Sequence, residues 1–211
     1  GKSSACRALA ERLGFTYVDT GAMYRAVGLL ADEAGVALDD DDGLGRLVAH
    51  LTFDLADGGT RLLVGGRDLS AAIREARAGD LASRVSTCPI VRERLVAIQR
   101  ALGRSGGVVM EGRDIGTVVF PEATFKLYLT AEPGARAHRR ALELRARGEA
   151  VDEPALAREL AARDQRDQTR RHAPLRPAED AVVLDTTRLT LAEVVAAMER
   201  LARSRGVVPP S

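Results

Sequence analysis

Tryptophan is missing from the 211 residues, and Phe and Tyr bring the aromatic share to only 3%. A core without rings has to be assembled from Leu, Val, Ile and Ala, and their short alternating runs point to α/β layering. Cysteine is scarce as well. Cys6 and Cys88 stand apart, with no CxxC spacing and no His cluster nearby, which argues against a disulfide framework or a zinc site and fits a reducing cytoplasm. No apolar run approaches the length of a membrane span and no basic-then-apolar leader precedes the first residue, so a cytoplasmic location and no membrane partner are expected. An excess of one charge is also absent: Lys+Arg number 31 against 30 Asp+Glu. The broad basic field of a nucleic-acid-binding protein is therefore lacking, and any anion site must be local. Lysine occurs only at Lys2 and Lys126, and arginine supplies the rest, as a GC-rich genome would produce.

What is present is a chain 45% hydrophobic and long enough to bury a substantial core, as one compact domain or a core carrying an insertion. Ser3 to Leu13 reads as a helix with Ala5, Ala8, Leu9 and Leu13 at helical spacing. A short strand, Phe15 to Val18, follows, then a helix whose stripe is Met23, Ala26, Val27 and Leu30, ending near Gly35. The character changes in the middle, where Leu51–Leu55 and Arg61–Val64 flank Asp57-Gly58-Gly59 as an antiparallel hairpin, with helices to follow at Glu75–Val85 and Ile90–Leu102. Residues 45–104 are accordingly expected to be an inserted α+β subdomain. Strand runs return at Val108–Met110, Phe125–Leu129 and Val182–Leu184, with helices at about Pro133–Gly148, Pro154–Arg171 and Leu191–Arg203. Strands alternating with helices predict a doubly wound parallel sheet with flanking helices, built from residues 1–44 and 105–211.

Four stretches carry chemistry. Gly1-Lys2-Ser3-Ser4, opening a helix, matches the last part of G-x-x-x-x-G-K-[ST], in which amides cradle phosphates, Lys reaches the β/γ oxygens and the hydroxyl binds Mg²⁺. Half a motif also fits a solvated helix start. Asp19-Thr20-Gly21-Ala22-Met23-Tyr24-Arg25 places a hydroxyl and an Arg at a strand-to-helix turn, where doubly wound sheets bind ligands. Glu111-Gly112-Arg113-Asp114-Ile115-Gly116 puts three charges at the end of an apolar strand and is the most specific stretch in the chain. Arg163, Asp167 and Arg170 fall at i, i+4 and i+7 on one helix face, either as an ion-pair ladder or as a cationic edge for a polyphosphate. A further set, Arg136, Arg139, Arg140, Arg145 and Arg147 ahead of Gly148, reads as a solvated basic helix pairing with Glu143 or as a lid near 140–153.

Taken in order, GKSS, VDTGAMYR, EGRDIGTVVFP, RDQRDQTR and APLRPAEDAVVLDTT resemble bacterial cytidylate kinases, nucleoside-monophosphate kinases of the phosphate-loop class, over nearly the whole chain. The resemblance implies transfer of the ATP γ-phosphoryl group to CMP or dCMP by a monomer, and it makes 45–104 the monophosphate-binding region. It implies that Lys2 and Ser3 contact ATP phosphates and Mg²⁺, with Gly1, Ser4 and Arg139 also on the ATP side. Thr20, Arg92 and Asp114 would read cytosine, Ser83 and Asp167 would hold the sugar, and Arg25 and Arg113 would take the acceptor phosphate, with Tyr24 beside them. Arg163 and Arg170 would line the closed site and, with Lys2 and Arg113, neutralise charge in transfer. Thr20 and Glu111 stand where the family more usually has Ser and Asp. The family also has a strand and a Gly-rich turn before Gly-Lys-Ser, so the resemblance implies an incomplete beginning at Gly1. Rival readings are a phosphate-loop kinase for UMP/CMP, AMP or a small alcohol, and a nucleotide-binding fragment without turnover. An Arg-helix role on nucleic acid is weaker still, for want of interleaved aromatics.

Overall fold

The computed structural model describes residues 1–169 and 173–207, so Arg170 lies outside the described residues. The described residues fall into two compact units, 1–9 with 113–207, and 10–112. Helix α1 spans Lys2–Leu13.

In the 10–112 unit, β1 (Thr16–Asp19) lies parallel to β5 (Val108–Glu111), with Tyr17 opposite Val109 and Asp19 opposite Glu111. Between them in the chain run α2 (Thr20–Glu33), α3 (Asp41–Ala49), β2 (Phe53–Ala56), β3 (Arg61–Val64), β4 (Arg67–Asp68), α4 (Ala76–Val85) and α5 (Pro89–Gly103). The apolar stripe expected on α2 is real but too narrow: Thr20, Ala22, Met23, Tyr24, Ala26, Val27, Gly28, Leu29 and Ala31 are all buried. The helix is covered on most of its circumference because α4 packs along it while Leu44 and Val48 of α3, Leu62 and Val64 of β3, and Val91 and Leu95 of α5 fill the same core. The predicted hairpin forms, Phe53 opposite Val64 and Ala56 opposite Arg61, and the chain turns through Asp57, Gly58 and Gly59, all at positive φ.

Two elements here were not foreseen. Gly65-Gly66, both at positive φ, make a second two-residue turn that folds β4 back on β3. Helix α3 starts where Asp40 accepts from the Gly43 amide at 2.8 Å, so part of an acidic run that reads as a loop is a helix cap.

On β4, the Asp68 carboxylate receives the Ser70 amide at 2.9 Å and Arg61 Nε at 3.0 Å. Hydrogen bonding by Ser70, then by Arg61, lowers its pKa from the ordinary 3.8 to about 2. A depressed carboxyl pKa contributes stability above the unfolded value, lost as pH falls through the folded one. Titration of the Asp68 carboxyl by NMR should accordingly give a midpoint near 2 and move up in Ser70→Ala. A wild-type midpoint at 3.8 would contradict these bonds.

In the other unit, β6 (Leu127–Thr130) is parallel to β7 (Val182–Asp185), Leu127 opposite Val182 and Thr130 opposite Asp185. Helices α6 (Pro133–Arg145), α7 (Glu153–Thr169) and α8 (Leu191–Ser204) follow, α6 packing on α7. Helix α8 opens with a reciprocal cap between Thr190 and Glu193. The class is therefore α/β with parallel pairing and flanking helices, as the alternation predicts. The parallel strands are hydrogen-bonded as two separate pairs, β1–β5 and β6–β7. The runs read as buried strands are only partly so in β6 and β7, where Val183 remains 58% exposed. Among the described residues no helix is long and apolar enough to cross a membrane, and Cys6 and Cys88 are both buried.

Candidate functional site

In the 10–112 unit the candidate residues gather at the carboxyl end of β1 and on α2. Asp19 ends the strand in extended geometry, and its carboxylate accepts from the Ala22 amide at 3.0 Å, capping α2. The other oxygen takes Arg25 Nη2 at 2.7 Å, which fixes the guanidinium over the first turn of its own helix. Arg25 Nε is buried and makes no hydrogen bond among the described residues, so an anion there would find a donor waiting. Thr20, 3% exposed, donates its hydroxyl to the Glu111 carbonyl at 2.7 Å across the β1–β5 pair. Its only proton is thereby committed, and the remaining lone pairs can act as acceptors. The Glu111 carboxylate, also buried, receives the Tyr17 phenol. Arg92, 6% exposed in the first turn of α5, stands 6.0 Å from the centre of the Tyr24 ring and points Nη1 at the Ser86 carbonyl at 3.5 Å. Ser83 is half-buried on α4. Thr20, Tyr24 and Arg25 are thus carried by one helix, with Arg92 over Tyr24. Asp19, Tyr17 and Glu111 are neighbours the sequence reading did not single out as site residues; an Asp before Thr-Gly at a strand end was a readable cap signal.

In the other unit Lys2, Ser3 and Ser4 form the exposed first turn of α1. A Cβ on Gly1 would lie 3.9 Å from Arg139 Cδ, so the stem of Arg139 borders this helix start. The guanidinium of Arg139 is engaged elsewhere: it donates to the Thr186 hydroxyl at 3.2 Å and to the carbonyls of Thr186, Thr187 and, at 3.0 Å, Leu189. It ties α6 to the β7–α8 connection.

Arg113 and Asp114 follow β5, and Asp114 is 6% exposed. The chain then makes one wide helical turn, Ile115–Val119, with the Asp114 carbonyl receiving the Val118 amide at 2.9 Å. Such wide turns are rare and concentrate at functional sites. Arg113 reaches α7. Its Nη1 lies 3.7 Å from Asp164 Oδ1 and its Nε 3.1 Å from Asp167 Oδ2. The second contact is off the hydrogen-bonding axis, so it is an ion pair, and Asp167 Oδ2, buried, makes no hydrogen bond among the described residues. Arg136 of α6 pairs with the other oxygen of Asp164. Arg163 is half-buried beside them in sequence. The face of α7 therefore meets arginines from distant parts of the chain. Of the other α6 arginines, Arg140 pairs with Glu143 at 3.2 Å, the contact of the solvated-helix alternative, and Arg145 with Glu153 at 3.1 Å.

Among the described residues no group of three or more His, Cys, Asp or Glu could hold a metal. An Mg²⁺ ion, a hard cation that keeps few protein ligands when it travels with phosphates, would fit the exposed hydroxyl of Ser3 at the start of α1.

The family model for cytidylate kinase matches residues 1–204. A protein named cytidylate kinase from a Geobacter species is 48% identical over 207 residues, covering 97% of this chain and 89% of that one. The cytidylate kinase of Geobacter sulfurreducens is 44% identical over 212 residues, 100% of this chain and 91% of its own. A bifunctional pantoate ligase/cytidylate kinase of a Synechococcus species is 46% identical over 208 residues, 96% of this chain and 38% of that longer protein.

Proposed function

Since the chain belongs to the cytidylate kinase family, we propose that it transfers the γ-phosphoryl group of ATP to CMP or dCMP, yielding CDP or dCDP and ADP. The observation that carries this is Arg113: a guanidinium just past a strand end, fixed by two carboxylates of α7 through Nε and Nη1, with Nη2 outside both contacts. A fork held in this way is suited to a phosphate.

Phosphoryl transfer to a phosphate needs no strong base, because the acceptor is already anionic; alignment and charge neutralisation suffice. We assign Arg113 and Arg25 to the acceptor phosphate, and Lys2, Arg113, Arg163 and Arg170 to charge neutralisation in transfer. Gly1, Lys2, Ser3, Ser4 and Arg139 take the ATP side. For Arg139 the engaged guanidinium favours a role in shaping that side over direct phosphate contact. Ser3 would hold Mg²⁺, which would supply positive charge to neutralise the ATP phosphates. Asp167, whose buried oxygen lacks a donor, and Ser83 take the sugar hydroxyls. Residues 45–104 serve as an inserted monophosphate-binding subdomain, supported by their antiparallel sheet in a chain whose other strands pair in parallel. The connection 146–152, with Gly148 at φ +81°, serves as a lid near 140–153. A monomer in the cytoplasm, without nucleic-acid or membrane partners, completes the reading.

Base choice follows from acceptor atoms. For the base we assign Thr20, Arg92 and Asp114: a carboxylate, or a hydroxyl whose proton is committed as that of Thr20 is to Glu111, accepts from the cytosine exocyclic amine and would meet the O4 acceptor of uracil with repulsion. Asp114→Asn, whose side-chain amide can also donate, should reduce the CMP:UMP ratio of kcat/KM by about 1–3 kcal/mol, roughly five- to 150-fold. An unchanged ratio in steady-state assays would remove Asp114 from base reading.

The reaction itself is tested by ³¹P NMR of ATP, Mg²⁺ and CMP with the chain, alone and with a family strand and Gly-rich turn placed ahead of Gly1. Growth of the CDP β-phosphate signal at the expense of the ATP γ signal is the expected result. ATP consumption without CDP in both forms would contradict the reading.

A further inference from the structure

Asp164 divides its carboxylate between two arginines that come from different elements. Oδ1 faces Nη1 of Arg113, in the turn after β5, at 3.7 Å, and Oδ2 pairs with Nη1 of Arg136 on α6. The Asp164 side chain is only 17% exposed, against 32% for Arg113 and 38% for Arg136. Shielding of this degree strengthens an ion pair relative to a surface one. Asp164 and Asp167 are three residues apart on α7 and so share a face, and together they hold Arg113 from two directions, at Nη1 and at Nε. Arg136 has a buried Nε without a hydrogen bond among the described residues, so the Asp164 contact is the ionic anchor of its guanidinium.

Resting on the acceptor-phosphate reading of Arg113, we infer that Asp164 is a positioning residue: it sets the plane of the Arg113 guanidinium and couples it, through Arg136, to helix α6. Its charge acts in two opposed ways. The four groups Arg113, Arg136, Asp164 and Asp167 sum to zero, so Asp164 weakens the pull of this cluster on a phosphate while fixing the direction in which Arg113 presents Nη2. Orientation matters in the transition state and net attraction matters in the ground state as well, so the two effects separate in kinetics.

The test is Asp164→Asn, which keeps the shape and removes the charge, in protein shown to phosphorylate CMP. Turnover should fall about ten- to a hundredfold through misalignment. The KM and calorimetric Kd for CMP should stay the same or tighten by up to about threefold through the added net positive charge. Asp164→Glu should restore at least part of the lost kcat, and Arg136→Gln should lower kcat likewise but, having removed a positive charge, leave the KM for CMP the same or weaken it by up to about threefold, with the double variant Asp164→Asn/Arg136→Gln no worse in kcat than the worse single one. A parental kcat in Asp164→Asn overturns the inference, as does a raised KM at unchanged kcat, which would mark a direct binding contact. A lowered melting temperature that accounts for the whole activity loss, unrescued by Glu, would mark a purely structural role and overturn it too. A parent protein that makes no CDP overturns the acceptor reading and this inference with it, whereas a working parent with an unaffected Asp164→Asn overturns this inference alone.

Discussion

Replacing Arg113 with Met is expected to lower kcat/KM for CMP about a thousandfold, at the upper end for one lost charge-stabilising donor and the lower end for an arginine in phosphoryl transfer. Met keeps most of the length and the apolar stem but offers no hydrogen and no charge. The lower end of the arginine range applies because Lys2, Arg25, Arg163 and Arg170 are assigned to the same anions and would share the load. A second consequence is structural: Asp164 and Asp167, whose side chains are 17% and 9% exposed, lose the cation that holds them together on α7. Leaving buried carboxylates short of their partner destabilises, so the melting temperature should fall along with activity. Arg113→Lys separates the two effects. It returns the charge without the planar fork, and should recover stability more fully than turnover. Steady-state kinetics on all three proteins decide the matter, and a kcat/KM for Arg113→Met within tenfold of the parent would take Arg113 out of the reaction.

Gly59→Ala should destabilise the fold by about 3 kcal/mol, a severe value for a single methyl group. A Cβ at residue 59 would sit 1.7 Å from the Tyr17 carbonyl oxygen, 2.7 Å from its carbonyl carbon and 3.2 Å from its nitrogen. These are backbone atoms of β1, which is hydrogen-bonded to β5, so nothing can swing aside as a side chain would. The φ of +91° adds strain for any L side chain. The neighbouring Gly58 has a similar positive φ, +65°, but open space around it, so Gly58→Ala should cost only about 1–2 kcal/mol, the conformational part alone. Urea titration of both variants isolates the steric part; equal midpoints would mean the hairpin tip does not press on β1. Because Tyr17 also donates to Glu111, whose carbonyl receives Thr20, the turn at Gly59 reaches the Thr20 hydroxyl through the β1–β5 pair.

The elements most legible in the sequence were those with long periodic stripes or sharp punctuation: α2, α5 behind Pro89, the hairpin at 57–59, and the parallel strands. Helix α3 escaped because nine residues with Gly43 and Gly45 show little stripe, and because the Asp39–Asp42 run resembles a solvated loop until Asp40 is seen capping Gly43. Strand β4 is two residues long, too short for alternation to register, although Gly65-Gly66 was a usable turn signal. At the candidate site the residue types were readable from strand ends and helix faces, but their partners were not. Asp167 lines up with Arg163 at i+4 in the sequence, yet the ion pair the fold makes is with Arg113, and Asp164 meets Arg113 and Arg136, each partner coming from another element. Periodicity reports which face a residue occupies and is silent on what faces it. Arg139 is the clearest instance, a helix arginine whose guanidinium is held by carbonyls at 186, 187 and 189.

Selective phosphorylation of a cytidine monophosphate is read most simply from ADP release with ATP and Mg²⁺. CMP, dCMP, UMP, AMP and GMP would be offered separately to the chain and to the same chain carrying a family strand and Gly-rich turn ahead of Gly1. Turnover with CMP or dCMP well above the other three acceptors is the expected result. Equal or greater turnover with UMP, AMP or GMP, or none with any acceptor in either form, would contradict it.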